Sequence, residues 1–125
     1  MNYRSPCPLA SALDIFGDRW TLVVLRMIFL GQRRYGDMLK MPEGISTNIL
    51  ADRLALLVRE GLLAAHAYQD APPRHEYRLT PKGADLLPVM LAMAKWSLTH
   101  ISGRQSPPDW LVAARPADFY PNTER

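Results

Sequence analysis

Three observations predict a mainly α-helical domain that carries one small β-hairpin. Up to residue 60, apolar residues recur at helical spacing between capping residues and Gly or Pro stops. After Gly61 the period changes to that of two short strands. At Thr80-Pro81 a strong helix-start signal opens a long apolar stretch. The 125 residues, 48% of them hydrophobic, suit one compact domain with a real core. A net charge of +3 and a pI near 9.3 are compatible with a polyanionic partner without demanding one. The single Cys7 excludes an intrachain disulfide framework and fits a reducing, intracellular setting. No charged leader with an apolar run opens the chain, and Trp20 to Leu30 is too short to span a bilayer and is broken by Arg26. The expectation is a cytoplasmic protein that engages no membrane.

Residues 1–8 form an arm, with Pro6 and Pro8 on either side of Cys7. Leu9 to Phe16 is a short helix stopped by Gly17, and Asp18 caps a second helix, Arg19 to Leu30, stopped by Gly31. Trp20, Val23, Val24, Met27, Ile28 and Leu30 give that helix an apolar surface too broad for a solitary surface helix. Gln32 to Tyr35 is a short extended segment with two adjacent arginines, and Gly36 to Met41 a third, short helix ended by Pro42. Leu62 to Gln69 and Arg74 to Leu79 are the strands, joined by the turn chemistry of Asp70-Ala71-Pro72-Pro73.

Thr80 caps and Pro81 starts a helix that runs to Ile101 or Gly103, with Pro88 bending it from inside. One apolar stripe is Leu87, Leu91, Ala94, Leu98 and Ile101; a second holds Leu86, Val89, Met90, Met93 and Trp96. A helix apolar over most of its circumference needs cover on two sides, and a second copy related by two-fold symmetry is the simplest partner. The domain is thus bounded at 9–103, with a dimerisation helix at 81–103. Residues 104–125 form a tail with one short helix, Trp110 to Ala114, pinned by Trp110 and Leu111.

The chain is organised around Gly44 to Gly61. Ser46 or Thr47 caps a helix in which Ile45, Leu50, Leu54 and Leu57 repeat at helical spacing, and Gly61 supplies the left-handed stop. On the opposite face lie Asn48, Asp52 and Ala55, small or hydrogen-bonding, with Thr47 and Ala51 beside them. Two helices joined by Pro42-Glu43-Gly44, the second with a polar face, make the helix-turn-helix pattern, and a hairpin directly after it is a wing. The first turn of such a helix can read base edges in a DNA major groove.

The order of signals then resembles a known family. Cys7-Pro8 is followed by Gly-Asp-Arg-Trp-Thr-Leu at 17–22, Gly-Gln-Arg-Arg-Tyr at 31–35 and Gly-Ile-Ser at 44–46. Arg53-Leu54 precedes Glu-Gly-Leu-Leu at 60–63. Pro73-Arg74 then leads to Glu-Tyr-Arg-Leu-Thr-Pro-Lys-Gly at 76–83, and Leu-Pro-Val-Met at 87–90 and Trp96 close the run. From residue 7 to about 100 this resembles the HxlR-type winged helix-turn-helix transcriptional regulators of bacteria, relatives of the MarR group. Asp18 and Arg19 stand where Gly-Lys is commoner. The resemblance implies a homodimer, joined through N- and C-terminal helices, on an inverted-repeat DNA operator. It also implies a response to electrophiles, oxidants or other small molecules, sensed in some members through the N-terminal cysteine, here Cys7.

Each candidate residue has a plainer role beside the functional one. Thr47 and Asn48 are assigned to DNA, and Ser46 to a cap or a phosphate. Asp52 accepts from cytosine or makes a surface ion pair. Arg53 bridges to Glu43 or Asp37, or contacts a phosphate. Arg33 and Arg34 anchor phosphates unless they are merely solvated, and Arg74, His75 and Arg78 lie on the wing or at its base, within reach of a minor groove or phosphates. Cys7 sits close to the first helix start with Arg4 near, a setting that suits a reactive thiol; its bland alternative is a buried, inert one. Trp20, Trp96 and Tyr35 are expected in the core, with the two tryptophans as alternative walls of a small-molecule cavity. His66, His75 and His100 are too far apart for a local metal motif, and no acid–base pair, nucleophile–base spacing or phosphate loop is visible. No cofactor, metal or catalytic activity is expected. The competing reading is a helical protein-interaction module that uses the wing and long helix without binding DNA.

Overall fold

The computed structural model describes residues 2–121. In order, the elements are α1 (Pro8–Phe16), α2 (Thr21–Phe29), α3 (Tyr35–Met38), α4 (Thr47–Arg59), β1 (Leu63–Asp70), β2 (Pro73–Leu79), α5 (Pro81–Ala84), α6 (Leu87–His100) and α7 (Asp109–Val112). A single 3₁₀ turn, Pro116–Phe119, follows. The chain is mainly helical with one antiparallel hairpin, as expected, and no helix among the described residues is long and apolar enough to cross a membrane. The core forms where α2 meets α4. Val24, Leu25, Met27, Ile28 and Phe29 are buried with Leu50, Leu54 and Leu57, and Met38, Leu62, Leu63, Leu79 and Leu87 close the rest.

Local chemistry sets where α2 and α4 begin. Asp18 accepts hydrogen bonds from the Trp20 amide at 2.9 Å, the Thr21 amide at 3.1 Å and the Thr21 hydroxyl. It thereby satisfies otherwise free donors of the first turn of α2. At α4 the Ser46 hydroxyl accepts from the Ile49 amide at 3.3 Å, the capping role expected of it.

Two ion pairs tie α4 and its leading turn to α2. The Arg53 Nε donates to Asp18 at 2.7 Å, and the same guanidinium reaches Asp52. The expected pairing of Arg53 with Glu43 or Asp37 does not form, because Glu43 is held by both terminal nitrogens of Arg26, at 3.0 and 2.8 Å. Neither Asp18 nor Arg26 is adjacent to its partner in sequence, so spacing could not reveal these links. Burial raises the Asp18 carboxyl, but hydrogen bonds from Thr21, Arg53 and Trp20 outweigh it and hold the group at about 2. The Arg26 hydrogen bonds likewise keep Glu43 below the usual carboxylate range, against burial.

The helix expected at 81–103 is two helices. α5 ends at Ala84 and α6 begins at Leu87, with Pro88 in the first turn of the new helix. Proline at that position loses nothing, since its missing N–H would have had no intrahelical partner, so the chain breaks here instead of bending. α5 is seated by a close approach. Thr80 caps it through the Gly83 amide at 3.1 Å and donates to the Gly61 carbonyl at 2.5 Å, and Lys82 reaches the Glu60 carbonyl at 2.6 Å. A Cβ on Gly83 would lie 2.0 Å from the Leu62 carbonyl oxygen. Gly61 and Gly31 adopt the left-handed conformation expected of them, at φ 77° and 96°, whereas Gly17 does not, at φ −77°.

The third helix, Tyr35–Met38, is shorter than expected. After α6 the chain returns to the body. Leu111 is 5% exposed and pins α7 as expected, but Trp110, at 53% exposed, does not. The 3₁₀ turn that follows has no periodic signal in the sequence; it sets the Phe119 ring edge-on against Phe29 at 4.8 Å between centroids.

Two outcomes follow from these contacts. Gly83→Ala is expected to destabilise the fold by about 1–3 kcal/mol in urea unfolding, despite alanine's better helix propensity, because rigid backbone must move. Asp18 is held below its ordinary value of 3.8, so its stabilisation is complete above about pH 4 and is lost as pH falls through 2. Asp18→Asn should therefore cost about 1 kcal/mol at neutral pH, a value discounted for partial solvent screening, and should flatten the fall of stability below pH 4. Urea midpoints across the acid range measure both effects.

Candidate nucleic-acid interface

The leucines of α4 face inward, and that fixes what faces out. Residues three and four apart share a helix face, so burying Leu50, Leu54 and Leu57 leaves Thr47, Asn48, Ala51, Asp52 and Ala55 exposed together. Ser46 is exposed too, its hydroxyl occupied in the cap. The Tyr35 hydroxyl donates to the Thr47 carbonyl at 3.0 Å, fixing α3 against the first turn of α4. Tyr35 is half-buried, and this tie carries no sequence signal. Arg53 lies at the edge of the polar face, half-buried, with its guanidinium turned to Asp18 and Asp52; Asp52 remains mostly open to solvent.

The wing is an antiparallel hairpin paired from Leu63 with Leu79 to Asp70 with Pro73, and its register shifts between Ala67 and Gln69. The Arg33-Arg34 segment is extended, as expected, and joins the hairpin edge. The Tyr77 amide donates to the Arg33 carbonyl at 2.8 Å, and Arg34 bridges Glu76. Arg34 then stacks over the Tyr68 ring at 3.9 Å and lies 3.7 Å from Glu76. Arg78 donates to the same Glu76 carboxylate at 2.8 and 3.0 Å. Its hydrogen bonds, opposed by burial and aided by Arg34 and Arg33, keep Glu76 below the usual carboxylate range. Arg33, Arg74 and His75 are exposed and make no side-chain hydrogen bond among the described residues.

Away from this surface, Leu86 and Met90 are half-buried while Val89, Met93 and Trp96 are exposed; Trp96, expected in the core, is 61% exposed, its ring 5.1 Å from that of His100. Trp20, by contrast, is half-buried against the core. Leu9 and Leu13 of α1 are likewise exposed. Cys7 is exposed at the start of α1, not buried. The nearby Arg4 is committed to Asp14 through an ion pair and so is not free to serve the thiol. Among the described residues no group of His, Cys, Asp and Glu is placed to hold a metal ion.

The sequence profile of the HxlR-like helix-turn-helix family matches residues 15–105. An HTH-type transcriptional regulator of Synechocystis sp. is 40% identical over 89 residues, 71% of this chain and 66% of its own length. The chain thus spans about two thirds of that relative. Among solved structures, a MarR-family transcriptional regulator from Porphyromonas gingivalis superposes with a TM-score of 0.68 and 33% identity, covering 81% of this chain and 99% of that one. The reduced form of the transcriptional regulator YodB from B. subtilis gives 0.64 and 25% identity, covering 81% and 100%. Fold, motif order and these likenesses agree: the chain belongs to the HxlR-like helix-turn-helix family.

Proposed function

We propose that the protein is a cytoplasmic, sequence-specific DNA-binding transcriptional regulator, a binder and not a catalyst, acting as a homodimer on an inverted-repeat operator. The observation that carries this reading is the exposed face of α4, where Thr47 and Asn48 stand clear of the core at the end that would enter a major groove. In this reading Asn48 reads a base edge, Thr47 and Asp52 flank it, and Ser46 and Arg53 set the helix against the backbone. Arg33, from the segment beside the wing, and Arg74 and His75, on the wing, contact phosphates or the minor groove, with Arg34 and Arg78 bracing the hairpin through Glu76. The second copy packs on Leu86, Val89, Met90, Met93 and Trp96, together with the exposed α1 leucines, which places two α4 helices roughly 34 Å apart on one DNA face. Cys7 serves as the electrophile sensor, its exposure being what such chemistry requires. Residues 9–103 carry the DNA-binding unit, 1–8 the sensing arm and 104–125 an accessory tail.

Mobility-shift titration on an operator selected from genomic fragments tests this. Asn48→Ala should weaken specific binding by about 1–3 kcal/mol and relax preference at one base pair. Arg33→Ala should weaken all duplexes alike and reduce the salt slope by about 0.9. Absence of any preference over random duplex, unchanged by Asn48→Ala, would remove the reading. Cys7→Ser should retain operator affinity and abolish its change on treatment with an electrophile such as diamide; an unaltered response would clear Cys7 of the role.

A further inference from the structure

Beyond Asn48 the outward face of α4 changes character. Ala51 and Ala55 are exposed there, and Val58, at 38% exposed, continues the row. With Ala65 and Tyr77 of the hairpin they line an open, mainly apolar groove between α4 and the wing. Arg59 and His75 also line it, and among the described residues no carboxylate does. Apolar walls with a guanidinium and no acid suit a polyanion that offers an apolar group. Asp52, the acid of α4, is bonded to Arg53. At about 100° per residue, that partner lies on the far flank of the helix from Ala51.

We propose that Ala51, backed by Ala55, is a specificity-determining residue that reads the 5-methyl group of a thymine beside the base pair met by Asn48. This rests on the DNA-binding reading above and adds the chemistry of the half-site to it. At their major-groove edges adenine and guanine present hydrogen-bonding atoms and cytosine a donor, whereas thymine adds a methyl to its acceptor. Ala51, Ala55 and Val58 have no side-chain donor or acceptor to offer. An amino group pressed against them would lose water without gaining a partner, at a cost. A methyl gains by leaving water. The spacing agrees: Ala51 lies three residues beyond Asn48, about 4.5 Å along the helix axis, close to the ~3.4 Å step between successive bases of a strand. A side chain as short as alanine also lets the helix backbone come near the base edge.

Mobility-shift titration on an operator selected from genomic fragments tests this. Each thymine of one half-site is replaced in turn by deoxyuridine, which deletes the methyl and leaves the pairing groups and the minor groove as they were. One such replacement should weaken wild-type binding about fourfold, the loss expected for one buried methyl-sized group. In Ala51→Gly the same replacement should cost nothing, while affinity for the unmodified operator falls by a similar factor. Ala51→Gln, which keeps a strong helix former and puts an amide where the methyl would pack, should be equally indifferent to deoxyuridine. Binding to random duplex needs the folded helix but no thymine in register, so it should be unchanged in both variants and reports their fold. Wild-type binding indifferent to every deoxyuridine, or a fourfold loss that persists undiminished in the two variants, would overturn the proposal. Either result leaves the preference for operator over random duplex intact, and with it the proposed function. A protein without that preference would instead remove the proposed function, and this assignment with it.

Discussion

The seating of α4 on α2 is the constraint from which the rest of the molecule takes its arrangement. Full burial of Leu50, Leu54 and Leu57 contributes about 1.5–3 kcal/mol for each side chain, whereas a partly exposed ion pair contributes about 0–1. The leucines therefore hold the helix down. Arg53–Asp18 and Arg26–Glu43 contribute little to that attachment and more to orientation, since each pins one end of the motif to a fixed point on α2 or its cap. With one face committed and the turn before it tethered, the outer face has a single presentation. A surface meant to match the spacing of base edges needs that rigidity.

The far side of the domain is shaped by a surplus of apolar surface. α6 has a proline in its first turn and carries Leu87 into the core, yet Val89, Met93, Trp96 and Ile101 remain exposed. Part of the demand for cover is met by the chain itself, because the returning segment brings Leu111 into the core and Phe119 against Phe29. The remainder is the face assigned to the second copy. Met90 and Met93 belong to that face, the first half-buried and the second exposed.

Local rules carried the sequence reading a long way, and they failed where tertiary contacts decide. The Ser46 cap, the inward leucines, the Gly61 stop and the Thr80-Pro81 start depend on residues within a few positions of one another, and all are found where expected. The pairing of the Arg33-Arg34 segment with the wing was half legible, as extended backbone without a stated partner. At Pro88 the chain starts a new helix where a bend is expected, because proline fits the first turn of a helix as well as it disrupts an interior, and the pattern of apolar residues runs through the break at Asp85 and Leu86. The return of the tail had almost no periodic signal, since its anchors are single apolar residues among prolines. The partner of Arg53 has no local signal for a simpler reason: Asp18 is 35 positions away, and only the packed fold brings the two together.

The bridge between Arg34 and Glu76, with the Tyr77 amide on the Arg33 carbonyl, joins the root of the wing to the strand leading into α3. Tyr35 begins α3 and is bonded in turn to the first residue of α4. Hairpin base, arginine segment and helix nose are thus riveted into one plate, while the outer half of the hairpin, beyond the irregularity at Tyr68, projects as a cantilever. Bending of that outer part would leave the alignment of the plate undisturbed. Any tilt of α4 would carry Arg33 and Arg34 with it, so helix nose and arginine segment move as one body.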